Sequence, residues 1–246
     1  MKKIESKNNE YIKTLSKLSL KKEMIKNELF LVEGDNLIKE AIESEIVVNL
    51  LLLDEKMYPD VTKISKTIVT KEIIRKLSKN RSNEGAIAVC KYEPITIHLS
   101  VVNKIVVLEN VNNPGNLGTI IRSALAFDFD AVITLGESVF AYNDKVLRAS
   151  QGALFKIPVM HLNNFEDLIM FKSYKFTLDD NSIFLKDLDV NEVKKEKFAL
   201  VFGNEARGLS KNIQEHWEGE NVKIEIKHID SLNLGSTASI ALNKFK

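Results

Sequence analysis

From Asn103 onward, short apolar runs alternate with segments of helical apolar spacing, and no other feature of the chain restricts its fold as much. Strand-like runs fall at Lys104 to Leu108, Ala131 to Leu135, Lys156 to Met160, Tyr174 to Leu178, Phe198 to Phe202 and Val222 to Ile226. Helices are predicted after all but the Tyr174 run. This alternation predicts an α/β domain with a mostly parallel sheet covered by helices on both faces. Ligands of such sheets sit in the loops at the carboxyl ends of the strands.

Residues 1–95 read as a separate, smaller α/β unit. A helix carrying Ile12, Leu15, Leu18 and Leu20 precedes the strand-like Leu29 to Val32, then Glu33-Gly34 and a helix from Asp35 to Glu43. Strand signals recur at Val47 to Leu53 and Ile87 to Cys90, and Thr70 fits the N-cap of a helix from Lys71 to Ser78. The segment from Tyr92 to Ser100 breaks the pattern, so residues 96–102 are assigned as a linker and 103–246 as the second domain. With 246 residues, 44% of them hydrophobic, the chain can fill both cores.

Charge and composition exclude several function classes. Lys and Arg number 35 against 34 Asp and Glu, which is no whole-chain signal for a polyanion. The first thirty residues differ, with eight Lys against four Glu. On its own that excess is equally a solvated helix face. Cys90 is the single cysteine, so an internal disulfide is excluded and a reducing cytoplasm is expected. No apolar run approaches the roughly 18 residues of a membrane span, and the N-terminus lacks the apolar core of a signal peptide. His98, His161, His216 and His228 are scattered without metal-site spacing, so no metal is expected. A Walker loop and a Gly-x-Gly-x-x-Gly fingerprint are both missing from the sequence.

Three loops of the second domain carry unusual chemistry, and each follows a strand-like run. The first is Asn113-Pro-Gly-Asn-Leu-Gly-Thr-Ile-Ile-Arg122, a turn signal that opens a helix near Asn116. Leu117, Ile120, Ile121, Ala124 and Leu125 mark its apolar stripe, and Arg122 lies roughly 140° from Leu117, off that stripe. Taken alone, the stretch serves equally as an ordinary βα turn with a surface Arg. The second loop is Phe202-Gly203-Asn204-Glu205-Ala206-Arg207-Gly208-Leu209-Ser210, where glycines let backbone approach a ligand and Ser210 can cap a helix. The third, Asp230-Ser231-Leu232-Asn233-Leu234-Gly235-Ser236-Thr237-Ala238-Ser239, leads into a terminal helix of small residues that Ser231 or Asn233 could simply cap.

Together with Arg148-Ala-Ser-Gln-Gly-Ala-Leu-Phe155 and Ile157-Pro158, these loops resemble, in order and spacing, the motifs of the SpoU/TrmH family of RNA ribose 2′-O-methyltransferases, within the SPOUT superfamily. Phe30-Leu-Val-Glu-Gly34 and the Lys-rich helix before it resemble the substrate-binding domain of part of that family, a module similar to kink-turn-binding ribosomal proteins. The resemblance implies a C-terminal trefoil knot, S-adenosylmethionine bound in it, and a homodimer with a site composed from both subunits. Gly203, Ile226 and Leu232 match the cofactor contacts. Asn116 and Arg122 match the first motif, Asn204 and Glu205 the second, Ser231 and Asn233 the third. Arg122, Asn116, Glu205, Ser231 and Asn233 are therefore the candidate catalytic set, and Lys13, Lys21, Lys22 and Arg122 the candidate RNA contacts.

The implied reaction is methyl transfer to a ribose 2′-hydroxyl, of 23S ribosomal RNA given the added RNA-reading module, with a transfer RNA target or a non-catalytic RNA-binding protein as alternatives. Arg122 suits electrostatic activation better than general base chemistry, because a guanidinium with a pKa above about 12 is a poor proton acceptor. The third loop departs from the family: Ile226-Lys-His-Ile-Asp230 is short and lacks Pro and Gly. Ala206 stands where Gly is frequent, and Asn113 where Asp is common.

Overall fold

The computed structural model describes residues 2–79 and 85–246. The chain divides into one unit of Met1–Glu93 with Tyr142–Phe155 and another of Pro94–Ala141 with Lys156–Lys246. The first unit runs β1 (Lys2–Ile4), α1 (Glu10–Lys17), α2 (Lys21–Asn27), β2 (Leu29–Glu33), α3 (Asp35–Glu43), β3 (Val47–Leu52), β4 (Ser65–Val69), α4 (Lys71–Leu77) and β5 (Ala86–Lys91). Its five strands lie in the order β1-β4-β3-β5-β2, parallel from β1 to β3 and antiparallel across β5. Thr70 caps α4 as its position predicts, accepting from Ile73 N. The single N-terminal helix expected from apolar spacing is two. Ile12 and Leu15 are fully buried on α1, but the chain breaks after Lys17, and Leu20 is 52% exposed at the start of α2. Strands β1 and β4 escape sequence reading because Lys-Lys-Ile and Ser-Lys-Thr-Ile-Val carry too few apolar residues to alternate clearly.

The second unit begins with β6 (Lys104–Glu109), α5 (Pro114–Ala126) and β7 (Ala131–Leu135). After α6 (Asp144–Ser150), which falls in the first unit, follow β8 (Val159–Leu162), β9 (Lys172–Phe176), β10 (Ile183–Phe184), α7 (Val190–Val193), β11 (Phe198–Phe202), α8 (Lys211–His216), β12 (Gly219–Lys223) and α9 (Leu234–Lys244). The seven strands form one sheet, β10-β12-β9-β11-β6-β7-β8, and every neighbouring pair is parallel. All residues of β7 and β11 are buried, as both faces of a parallel sheet require.

The predicted helix after the third run is absent. Phe165, Leu168 and Phe171 instead turn inward through a short 3-10 turn, and Phe165 stacks on Trp217 with centroids 5.6 Å apart. The last predicted strand forms three residues early, which leaves Ile226 in the loop beyond β12. Small residues let α9 lie close against α5: a Cβ on Gly235 would come within 3.3 Å of Thr119 Cβ, and the Ser123 and Ser239 hydroxyls bond at 2.8 Å. In the first unit, Tyr142 and Phe155 flank α6 and pack on Phe30, with centroids 5.0 and 6.0 Å away.

Candidate active site

Asn113 fixes the start of α5. Its side chain accepts from Gly115 N at 2.8 Å and Asn116 N at 3.4 Å, and Pro114 supplies the first helical residue. The helix therefore starts two residues before Asn116 and carries that side chain, 5% exposed, in its first turn. Arg122 is exposed, as its place off the apolar stripe predicts, and its side chain makes no hydrogen bond or ion pair among the described residues. It lies about 9 Å further along the helix axis than Asn116.

The second loop closes on itself. Asn204 N donates to Gly208 O and Gly208 N returns a bond to Asn204 O, at 3.0 and 2.9 Å. The Asn204 side chain accepts from Ala206 N and Arg207 N. A Cβ on Gly203 would lie 2.2 Å from the Gly208 carbonyl carbon, so only glycine fits. Left-handed backbone falls at Gly208, with φ +67°, and not at Ala206, which explains why Ala is tolerated there. Ser210 caps α8, accepting from Ile213 N.

In the third loop, Asn233 caps α9 by accepting from Ser236 N, and His228 holds a left-handed φ of 70°. Histidine thus takes the backbone conformation for which the loop has no glycine.

Side chains from all three loops meet in one chain of hydrogen bonds. Asn233 Nδ2 donates to Asn116 Oδ1 at 3.0 Å, and Asn116 Nδ2 donates to Glu205 Oε1 at 2.8 Å. An ionised carboxylate only accepts, so Glu205 fixes which end of the Asn116 amide faces it. A cleft of about 660 Å³ opens beyond the ends of β9, β11 and β12. Phe176, Phe202, Leu209, Val222, Ile226 and Leu232 give it apolar walls, and Asp179, Glu205, Arg207 and Lys223 give it a polar rim. Under one edge, buried Lys175 donates to Gln214 O and Trp217 O at 3.2 and 2.7 Å, closing the end of α8; burial lowers its pKa.

Of the residues singled out from sequence, Gly203, Glu205, Ile226, Ser231, Leu232 and Asn233 all line this cleft. Asn116 joins them through its two hydrogen bonds, whereas Arg122 is not part of the cleft wall. Lys13, Lys21 and Lys22 are exposed in the first unit, and Lys13 pairs with Glu10 at 2.7 Å. Sequence reasoning missed Gln214 and Asp179 of the cleft wall, which carry no motif, and Glu109 and Asn110 beside the second loop, which read as the tail of a strand. Among the described residues no cluster of His, Cys, Asp or Glu could hold a metal ion, and no helix is long and apolar enough to cross a membrane.

Sheet and site define an α/β protein with a cleft of ligand size at the carboxyl ends of a parallel sheet, beside an Asn-Asn-Glu chain drawn from three loops. The SpoU rRNA Methylase family matches residues 103–243, and an MRM3-like substrate binding domain matches residues 9–88. The chain belongs to the SpoU rRNA Methylase family. It is 32% identical to the 23S rRNA (guanosine(2553)-2′-O)-methyltransferase RlmP of Bacillus subtilis, covering 98% of this chain and 97% of that protein. A 23S rRNA (adenosine(1067)-2′-O)-methyltransferase of Streptomyces azureus is 33% identical over 57% of this chain and 53% of its own. Among solved structures, an RNA 2′-O ribose methyltransferase aligns with TM-score 0.80 and 25% identity, over 98% of this chain and 97% of that one. An AdoMet-bound rRNA methyltransferase from Sinorhizobium meliloti shares the fold at TM-score 0.83 and 24% identity, over 99% and 96%.

Proposed function

We propose that this protein transfers a methyl group from S-adenosylmethionine to a ribose 2′-hydroxyl of 23S ribosomal RNA. The hydrogen-bond chain Asn233–Asn116–Glu205 carries the reading, because it joins three distant motifs at the rim of a cleft of ligand size. The cleft suits the cofactor: apolar walls for an adenine, charged groups at the rim for the methionyl end, and Gly203 letting the second loop close on its own backbone beside it. Bound there, S-adenosylmethionine would supply the methyl group of its sulfonium and leave as the neutral thioether.

This chain's residues then hold the ribose. Asn116 and Asn233 fix the Glu205 carboxylate, whose second oxygen is left as an acceptor at the cleft rim. Ser231 positions the ribose from the third loop. Arg122 clamps the phosphate next to the target nucleotide, or stabilises with its guanidinium fork the alkoxide that develops as the 2′-hydroxyl gives up its proton to solvent. Holding the reactants in near-attack geometry is worth several kcal/mol, on the order of 7 to 11 at most.

The same reading makes the first unit the RNA-recognising module, with Lys13, Lys21 and Lys22 on phosphates, and assigns the protein to the cytoplasm. It also includes a trefoil knot formed by the C-terminal segment and a homodimer. Arg122 stands outside the cleft of its own chain, which favours a site completed by a second subunit. Exposed Ile240 on α9 and exposed Ala126 on α5 offer an apolar contact for it.

Two measurements test the reading. Calorimetry with S-adenosylmethionine should show binding at micromolar cofactor; no binding with RNA affinity intact would leave a non-catalytic RNA-binding protein. Arg122→Lys should lower turnover at saturating RNA by at least tenfold, and near-normal turnover would refute a need for the guanidinium.

A further inference from the structure

Two consecutive residues at the end of β6, outside the three loops singled out from the sequence, hold both ends of the Gly203–Ser210 loop. Glu109, 8% exposed, accepts from Ser210 N through Oε2 at 2.7 Å, where the loop enters α8. The Asn110 carbonyl accepts from Asn204 Nδ2 at 2.8 Å, where the loop leaves β11. Asn110 reaches this position only through left-handed backbone, φ +53°. That turn also sends its side chain to the neighbouring loop, where Oδ1 accepts from Glu137 N at 2.8 Å. Gly136 makes room for it: a Cβ there would lie 2.3 Å from Asn110 Oδ1. β6 pairs with β11 on one side and β7 on the other, so this junction sits between the loops that follow all three strands.

We propose that Glu109 and Asn110 are positioning residues that hold the cofactor loop in its binding shape, Glu109 at its exit and Asn110 at its entrance. The inference rests on the cleft being the S-adenosylmethionine site. The loop's own bonds, Asn204 to Gly208 and to the Ala206 and Arg207 amides, shape its tip but do not attach it to the sheet. Asn116 holds the loop at Glu205, and β6, the strand that leads into Asn116, holds it at both ends. The cofactor loop and α5, which carries Asn116, are thereby referred to one fixed point.

The test uses the full-length protein with Glu109→Leu, Glu109→Gln, Asn110→Val and Asn110→Gly. Glu109→Leu strands the Ser210 amide, Glu109→Gln keeps an acceptor for it, Asn110→Val excludes left-handed backbone, and Asn110→Gly keeps that backbone with its carbonyl. Amide hydrogen exchange across residues 203–210, without cofactor, should speed up in the Leu and Val variants and stay near wild type in the Gln and Gly variants. The KM for S-adenosylmethionine should rise about ten- to a hundredfold in the Leu and Val variants, with the KM for RNA unchanged. Unchanged exchange overturns the proposal whatever the cofactor does. Faster exchange with an unchanged cofactor KM overturns the positioning role as well. If wild type binds no S-adenosylmethionine while exchange responds as described, the cofactor reading fails and the loop clamp stands.

Discussion

Replacing Asn116 with Asp should damage the site more than replacing it with Ala, although Asp is the closer match in shape. Asn116 Nδ2 donates to Glu205 Oε1 across 2.8 Å, so the Asp substitution sets a second carboxylate oxygen at that distance from the first. Coulomb's law at 2.8 Å gives about 6 kcal/mol of repulsion at an effective dielectric of about 20, and about 1.5 kcal/mol in bulk water. Glu205 is exposed on the cleft side while Asn116 is buried, so the cost falls between these limits. Ala carries no such charge. It forfeits hydrogen bonds that water partly replaces on the Glu205 side, about 1 to 1.5 kcal/mol, or roughly tenfold in kcat/KM.

The assay is kcat/KM for RNA 2′-O-methylation together with the cofactor Kd, measured for Asn116→Ala, Asn116→Asp and the double variant Asn116→Asp with Glu205→Gln. The double variant reverses the polarity of the bond: the carboxylate introduced by Asn116→Asp accepts from the Gln amide on one side and still accepts from Asn233 Nδ2 on the other. Cofactor affinity should therefore return to within a few fold of wild type, even if turnover stays low for want of the Glu205 charge. An Asp variant as active as the Ala variant, or a double variant no better than Asp alone, would refute the hydrogen-bond chain as the element that holds Glu205.

Gly203→Ala should cut cofactor affinity at least tenfold, because the new methyl meets the backbone of Gly208 and Leu209 at 2.2 and 2.3 Å, whereas Gly208→Ala, with nothing within 4 Å, meets only backbone strain of about 1 to 2 kcal/mol; calorimetry distinguishes the two. His228→Val should weaken cofactor binding, since a β-branched residue resists the φ of 70° that His228 adopts, while His228→Gly and His228→Asn leave it near wild type. Replacing Lys13, Lys21 and Lys22 together by Ala should flatten the salt dependence of RNA binding by about two to three in log–log slope. An unchanged slope in a filter-binding titration would remove these lysines from the RNA interface.

What the sequence disclosed follows the strength of the local signal. Strands β6, β7 and β11 are strongly apolar runs and are placed almost to the residue, and Thr70, Ser210 and Asn233 cap the helices their positions suggest. Strand β12, Gly-Glu-Asn-Val-Lys, carries a single large apolar residue, so the eye slides to the richer Val222 to Ile226 and misplaces the strand. Its position depends on pairing with β9, a contact no local pattern records. Glu109 and Asn110 were illegible for a related reason. Their partners, Ser210, Asn204 and Glu137, lie 101, 94 and 27 residues away, and nothing adjacent to them hints at a role.

The ambiguity that sequence reading leaves at Asn233, helix cap or site residue, comes from treating the side chain as having one end. An amide has two. Asn233 Oδ1 accepts from Ser236 N and starts α9, while Nδ2 donates to Asn116 and starts the hydrogen-bond chain to Glu205. Asp or Ser would cap the helix as well as Asn does, but neither retains an amide donor beside that cap. The same economy holds at Asn204, whose Oδ1 gathers two loop amides while Nδ2 reaches the Asn110 carbonyl. The asparagines are therefore the residues through which helix starts and loop shapes on different strands are made to depend on one another. The cleft's geometry consequently rests on bonds between loops as well as within them, and the Asn116, Glu109 and Asn110 substitutions are chosen to break the former.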